Sequence, residues 1–137
     1  MWVGCSGAPS DHCSNNQGGP NSTIDESPVV VEKPYIIFEN GRYYLMRPRA
    51  EFNKRNNTAG WENADMIDFE KVYVVKSTDT ASIINTKLEE GLHLVFQPWI
   101  YKLEESIKVK NNGTVVLGLG LATLQPVNGT PAFEITG

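Results

Sequence analysis

The chain has 137 residues, 40% of them hydrophobic and 20% charged, with a formal net charge of −4. That is one domain's worth of mass with enough apolar surface to bury a core, which excludes a disordered tail. Its 12 basic residues are dispersed, without a stripe of interleaved aromatics, which speaks against nucleic acid, and no apolar run is long enough to span a bilayer.

Residues 1–28 have no helical or strand period; Cys5 and Cys13 sit among Gly, Ser, Pro and Asn, so an irregular segment is predicted. Residues 29–76 form a second stretch. In it Tyr35-Ile36-Ile37-Phe38 and Tyr43-Tyr44-Leu45-Met46 flank Asn40-Gly41, the pair that tolerates the two positive φ angles of a type I′ turn, and a hairpin is predicted. Pro34 and Pro48 bracket it, and its tyrosine-rich face is expected to lie over an apolar end of the fold. Arg47, Arg49, Lys54 and Arg55, broken by Glu51, read as a solvated loop. From Glu51 to Glu70 the chain is polar and reads as irregular, with Trp61 at its middle and Met66, Ile67 and Phe69 packing inward. Val72 to Val75 is the next predicted strand.

Residues 77–137 carry the strongest pattern. Thr80 is the predicted N-cap of a helix whose apolar stripe is Ala81, Ile83, Ile84 and Leu88, with Lys87 late in the helix and Gly91 as the left-handed stop. After Gly91 the period changes from about 3.6 to about 2. Leu92, Leu94 and Phe96 are predicted to face one way, followed along the same axis by Ile107 and Val109, Val115 and Leu117, Leu124, and Phe133 and Ile135. The breaks at Gln97-Pro98, Asn111-Asn112-Gly113 and Asn128-Gly129 are corner chemistry. Strands this short, returning after roughly two dozen residues, have the period of a solenoid coil. The expected fold class is mainly β: the start of a parallel β-helix with a short N-terminal capping helix and a preceding β-hairpin.

The same residues resemble a known family. Asp79, Thr80, Ala81, Ile84 and Asn85, then Gly91, then Pro98, Tyr101 and Leu103, then Asn112, Thr114, Val115, Leu117, Gly118 and Gly120 resemble the first coils of the pectate-lyase-like superfamily of single-stranded right-handed β-helices. With Trp2 to Pro9, His12, Cys13 and Ser27 to Tyr35, the chain is similar to large secreted bacterial and fungal proteins often labelled by a coagulation-factor 5/8-type domain. One position departs from the pattern: Trp99 follows Pro98, where such proteins commonly have Gly, so either the turn differs or the indole is there for contact.

The resemblance implies an extracellular protein acting on polysaccharide, as a glycoside hydrolase or a polysaccharide lyase, with its catalytic coils beyond Gly137. The remainder of the β-helix is then the expected neighbour, and the chain is expected to be a piece of a longer protein. The alternative is a non-catalytic glycan-binding or adhesion solenoid. No cofactor or metal is implied, and no catalytic residue is identified; His12 and His93 have no triad partners in the sequence.

Trp61, Trp99 and Tyr101 are the candidate carbohydrate contacts, since aromatic faces stack on sugar rings. Glu62, Asp65 and Asp68 beside Trp61 read more simply as solvated acids. Cys5 and Cys13, with seven residues between them, suit a disulfide in a secreted protein, while two free thiols remain the alternative. Zinc fails on ligand count, because Cys5, His12 and Cys13 leave the fourth position empty. Asn21, Asn56, Asn112 and Asn128 begin sequons for N-glycosylation, although Asn-Gly-Thr is equally what a tight corner asks for.

Overall fold

The computed structural model describes residues 2–8, 23–55 and 63–137. In chain order the strands are β1 (Trp2–Val3), β2 (Thr23–Ile24), β3 (Ser27–Val30), β4 (Tyr35–Glu39), β5 (Arg42–Pro48), β6 (Glu51–Lys54) and β7 (Ala64–Asp68). A 3-10 turn (Phe69–Lys71), β8 (Val72–Val75) and the helix α1 (Ala81–Glu89) follow. The chain then runs through β9 (His93–Phe96), β10 (Ile100–Leu103), β11 (Ile107–Val109), β12 (Val116–Gly118), β13 (Thr123–Pro126) and β14 (Phe133–Ile135).

Two compact units result, one from residues 1–33 and 48–65, the other from residues 34–47 and 66–137. In the first, β1 and β2 pair in parallel and β3 and β6 pair antiparallel. Gly4 is required there: its φ is +59°, and a Cβ would stand 2.9 Å from the Lys54 carbonyl oxygen. The segment expected to be irregular after Glu51 contains strands, whereas Arg49 is exposed as expected, its Nε donating to Asp65 Oδ1 (2.8 Å) at the surface.

The second unit is the start of a parallel β-helix. β9, β10 and β11 make one coil, and β12, β13 and β14 stack on them in the same order and direction. Leu94 lies beside Val116, Ile100 beside Thr123 and Ile107 beside Phe133, so each register advances by roughly two dozen residues, the coil period expected of a solenoid. β8 pairs in parallel on the other side of β9. The helix packs against β11 and closes the bottom of the stack.

Local chemistry explains the cap. The Thr80 hydroxyl accepts from the Ile83 amide, and Gly91 ends the helix at φ +83°. Ala81, Ile84 and Leu88 are buried as expected, but Ile83 is exposed, because the buried stripe of so short a helix needs only one side. The Asp79 carboxylate accepts from the Tyr73 hydroxyl and the Lys76 amide, both at 2.8 Å. Asn85 ties helix to coil: its Oδ1 accepts from the Lys108 amide (2.8 Å) and its Nδ2 donates to the Ser106 carbonyl (3.0 Å). A side chain that both donates and accepts is what a chain passing one layer above presents to it.

Two cores lie on the two sides of the β8-β9-β12 sheet. The interior one holds Val75, Ile84, Leu94, Phe96, Tyr101, Leu103 and Ile107. The outer one holds Leu45, Val95, Val115 and Leu117, with Ile36, Ile67, Phe69 and Val72 packed against it. This corrects the expected axis. Val116 lies beside Leu94 and faces inward, whereas Leu117 lies beside Val95 and faces outward. A parallel strand buried on both sides reads as continuously apolar, so period alone cannot assign its faces. Ile135 continues the interior row above Val109 but is exposed, since no strand lies above it among the described residues.

The hairpin forms as read, with Asn40 at φ 50°, Gly41 at φ 80°, and Glu39 opposite Arg42. What it buries differs. Leu45 and Met46 are buried and Tyr43 is exposed; the hairpin covers the side of the first sheet through Leu45, not its end through tyrosines. Met66 also points to solvent, while Ile67 and Phe69 pack inward.

Candidate functional site

Of the two candidate aromatic residues that the structure describes, Trp99 and Tyr101, one is on view. Trp61 lies outside the described residues. Tyr101 is 2% exposed, its ring edge-on to Phe96 at 5.1 Å and its hydroxyl bonded to the carbonyls of Gln97 (3.1 Å) and Val75 (3.3 Å). Burial pushes its phenol up from the ordinary value. Tyr101 is therefore a core residue that seals a corner, and it is not placed to touch a ligand. It points inward because it pairs with Leu124 on the interior row.

Trp99 is 57% exposed at the corner between β9 and β10. Its carbonyl accepts from the Thr123 amide of the coil above (2.8 Å), so the backbone there serves the stack while the indole points away. Pro98, Trp99, Ile100 and Leu121 line an open recess of about 360 Å³. These walls offer a sugar one aromatic face and no polar side chain. Above Pro98 sits Gly120 at φ +55°, where a Cβ would come within 3.2 Å of the proline ring; the two glycines of Gly118-Leu119-Gly120 are not equivalent, and Gly120 is the one the corner needs.

Outward-facing positions of the two coils carry Lys102 beside Gln125 and Lys108 beside Glu134. Glycoside hydrolysis calls for two carboxyl groups flanking the bond, and these rows present one. Among the described residues of these two rows, Glu134 is the one carboxylate.

His93, without triad partners in the sequence, has a structural part here on the outer row beside Val72. Its Nδ1 accepts from the Val115 amide (2.9 Å), and the Arg47 guanidinium donates to the neighbouring Gly113 carbonyl (2.6 Å), so two side chains hold the turn that leads into the upper coil. Burial, then the nearby cations Arg47 and Lys71, hold the imidazole below its ordinary value, which favours the neutral form that can accept this bond.

Cys5 is exposed and its thiol lies 3.3 Å from the Val3 carbonyl; Cys13, its expected partner, lies outside the described residues. Asn21 and Asn56 are outside them as well. Asn112 is exposed on its turn, and Asn128 donates through Nδ2 to the Glu104 carbonyl (2.9 Å), a corner role in which it ties one coil to the one below.

A helix-capped stack of parallel coils, with Asn85 tying helix to coil, Tyr101 in its core and Gly120 at a corner, defines the class: residues 72–137 are the start of a pectate-lyase-like parallel β-helix. More narrowly, residues 72–137 match the LAM55 pectate lyase-like domain. The chain is 35% identical over 118 residues to an exo-beta-1,3-glucanase of Streptomyces sp. (strain SirexAA-E / ActE), an alignment covering 85% of this chain and 20% of the relative. Among solved structures it is similar to sacteLam55A from Streptomyces sp. SirexAA-E, with 33% identity, a TM-score of 0.85 and coverage of 97% of this chain and 24% of that one. A single-residue variant of sacteLam55A in complex with glucose gives a TM-score of 0.86 over the same shares. The chain thus spans between a fifth and a quarter of the length of these relatives.

Proposed function

We propose that this chain supplies the helix-capped first coils of a secreted polysaccharide-acting β-helix protein, a glycoside hydrolase that cleaves β-1,3-glucan, with the reacting carboxyl groups on residues outside it. The observation that carries this reading is the 33% identity, at a TM-score of 0.85 across 97% of the chain, to sacteLam55A. In this reading the segment itself has a structural role: α1 closes the stack, and β9 to β14 provide the template on which further coils would be laid. Hydrolysis is favoured over β-elimination by the glucanase relative, since a neutral glucan has no uronic acid for a lyase to act on.

Full-length protein carrying this chain is expected to release glucose from soluble β-1,3-glucan without forming an unsaturated sugar. No release from β-1,3-glucan, or an unsaturated product from an acidic polysaccharide, overturns the reading. The extracellular setting carries with it a disulfide between Cys5 and Cys13. Mass spectrometry of the secreted protein after thiol alkylation should find neither cysteine modified; two alkylated thiols exclude the bond.

A further inference from the structure

Phe38 and Tyr43 stand directly opposite each other across the β4-β5 hairpin, just before and just after its tight turn. Their rings are 4.8 Å apart and tilted, and Tyr43 continues to Phe69 at 5.9 Å, so three aromatic rings form a stepped strip. Its inner end, Phe69, packs on the outer core. Its outer end is in water: Phe38 is 63% and Tyr43 57% exposed. A cross-strand aromatic pair accounts for the hairpin's register, but not for two large rings left uncovered at a tip where polar residues would serve folding equally well.

Charged groups stand beside the strip. The Arg42 guanidinium is 3.6 Å from the Asp68 carboxylate, and the other oxygen of that carboxylate accepts from the Glu70 amide at 2.9 Å, which fixes its orientation. Arg42, Tyr43, Asp68, Phe69 and Glu70 line an open recess of about 460 Å³. Aromatic faces next to fixed carboxylate and guanidinium groups are complementary to a pyranose, whose C–H face stacks on a ring while its hydroxyls both donate and accept. An apolar peptide would strip water from three charged groups without replacing it, and the two carboxylates disfavour a polyanion. The recess at Trp99 is the converse, an aromatic residue with purely apolar neighbours.

We propose that the Phe38–Tyr43–Phe69 strip, with Arg42, Asp68 and Glu70 along its side, is a binding site for a neutral polysaccharide chain. The choice of β-1,3-glucan as the first ligand rests on the function proposed above. The test is affinity electrophoresis and calorimetry of the chain with laminarin, and with xylan and a β-1,6-glucan, comparing wild type with Tyr43→Ala, Arg42→Ala, Glu70→Gln and Trp99→Ala. Tyr43→Ala is expected to weaken laminarin binding roughly tenfold or more, Arg42→Ala and Glu70→Gln several-fold, and Trp99→Ala not at all. Should Tyr43→Ala fail to fold, the exposed Arg42 and Glu70 variants decide alone. Binding of no polysaccharide by wild type, or equal binding by all strip variants, overturns the proposal. Tyr43-dependent binding to xylan or β-1,6-glucan but not to laminarin keeps the strip and removes the glucan reading; glucose release by the full-length protein with strip variants binding like wild type does the reverse.

Discussion

The lower and upper coils of the β-helix have the same plan but differ in the burial of their interior rows. Ile107 and Ile135 both sit on the interior row of the third strand stack, yet Ile107 is fully buried and Ile135 is 72% exposed. Leu94 and Phe96 lie between β8 and β12, and Ile107 lies between α1 and β14; Val116, Leu124 and Phe133 have a coil beneath them and, among the described residues, no strand above. Position in the stack, and not residue type, decides what a side chain contributes, as expected where each repeat is stabilised by its neighbours.

The sharpest way to break this comparison is to truncate the two isoleucines. Ile107→Ala is expected to cost about 2–5 kcal/mol, the range for a buried Ile that leaves a cavity, and Ile135→Ala no more than about 0.5 kcal/mol; urea titrations followed by circular dichroism measure both. Comparable losses at the two sites would mean that the upper coil is covered in solution. The asparagines repeat the contrast more gently. Asn85→Ala leaves the Lys108 amide and the Ser106 carbonyl without their partner and is expected to cost about 1–3 kcal/mol, whereas Asn128→Ala, at an exposed corner with a single bond to Glu104, should cost about 0.5–1 kcal/mol.

A smaller, pH-dependent effect joins the two coils. Because the imidazole of His93 is held below its ordinary value of 6.5 in the folded chain, its contribution to stability is complete above that value and is lost as pH falls through and below it. Protonation removes the acceptor for the Val115 amide and sets a third positive charge beside Arg47 and Lys71. His93→Gln, neutral and still able to accept, should flatten the stability profile between about pH 7 and pH 5, and an unchanged slope would exclude His93 as its source. The least effect is expected at Trp99: Trp99→Ala should change stability by no more than about 0.5 kcal/mol, because the ring is exposed and the Thr123 bond uses only its backbone.

Much of this architecture was legible wherever local chemistry is decisive. Thr80 and Gly91 bound the helix, Asn40-Gly41 sets the hairpin, and the corners at Pro98, Gly113 and Gly129 interrupt strands at the coil period. Candidate binding residues were less legible. Trp99 and Tyr101 are two residues apart on opposite sides of one corner, and their accessibility depends on which of them meets the neighbouring coil. The pairing of Phe38 with Tyr43 follows from the hairpin register, but its exposure does not; the tip extends beyond the side chains that cover Leu45, and no local pattern encodes where the underlying sheet ends.

By itself the sequence determined the order of elements, the caps and the corners, because φ preferences and capping hydrogen bonds act within a few residues of chain. Only the tertiary structure decided faces and burial: that Val116 points in and Leu117 out, that Leu45 lies beneath the hairpin while Tyr43 stands in water, and that Ile107 is sealed while Ile135 is open. The physical reason is that burial belongs to a pair of surfaces, and in a stacked fold the second surface is supplied from roughly two dozen residues away.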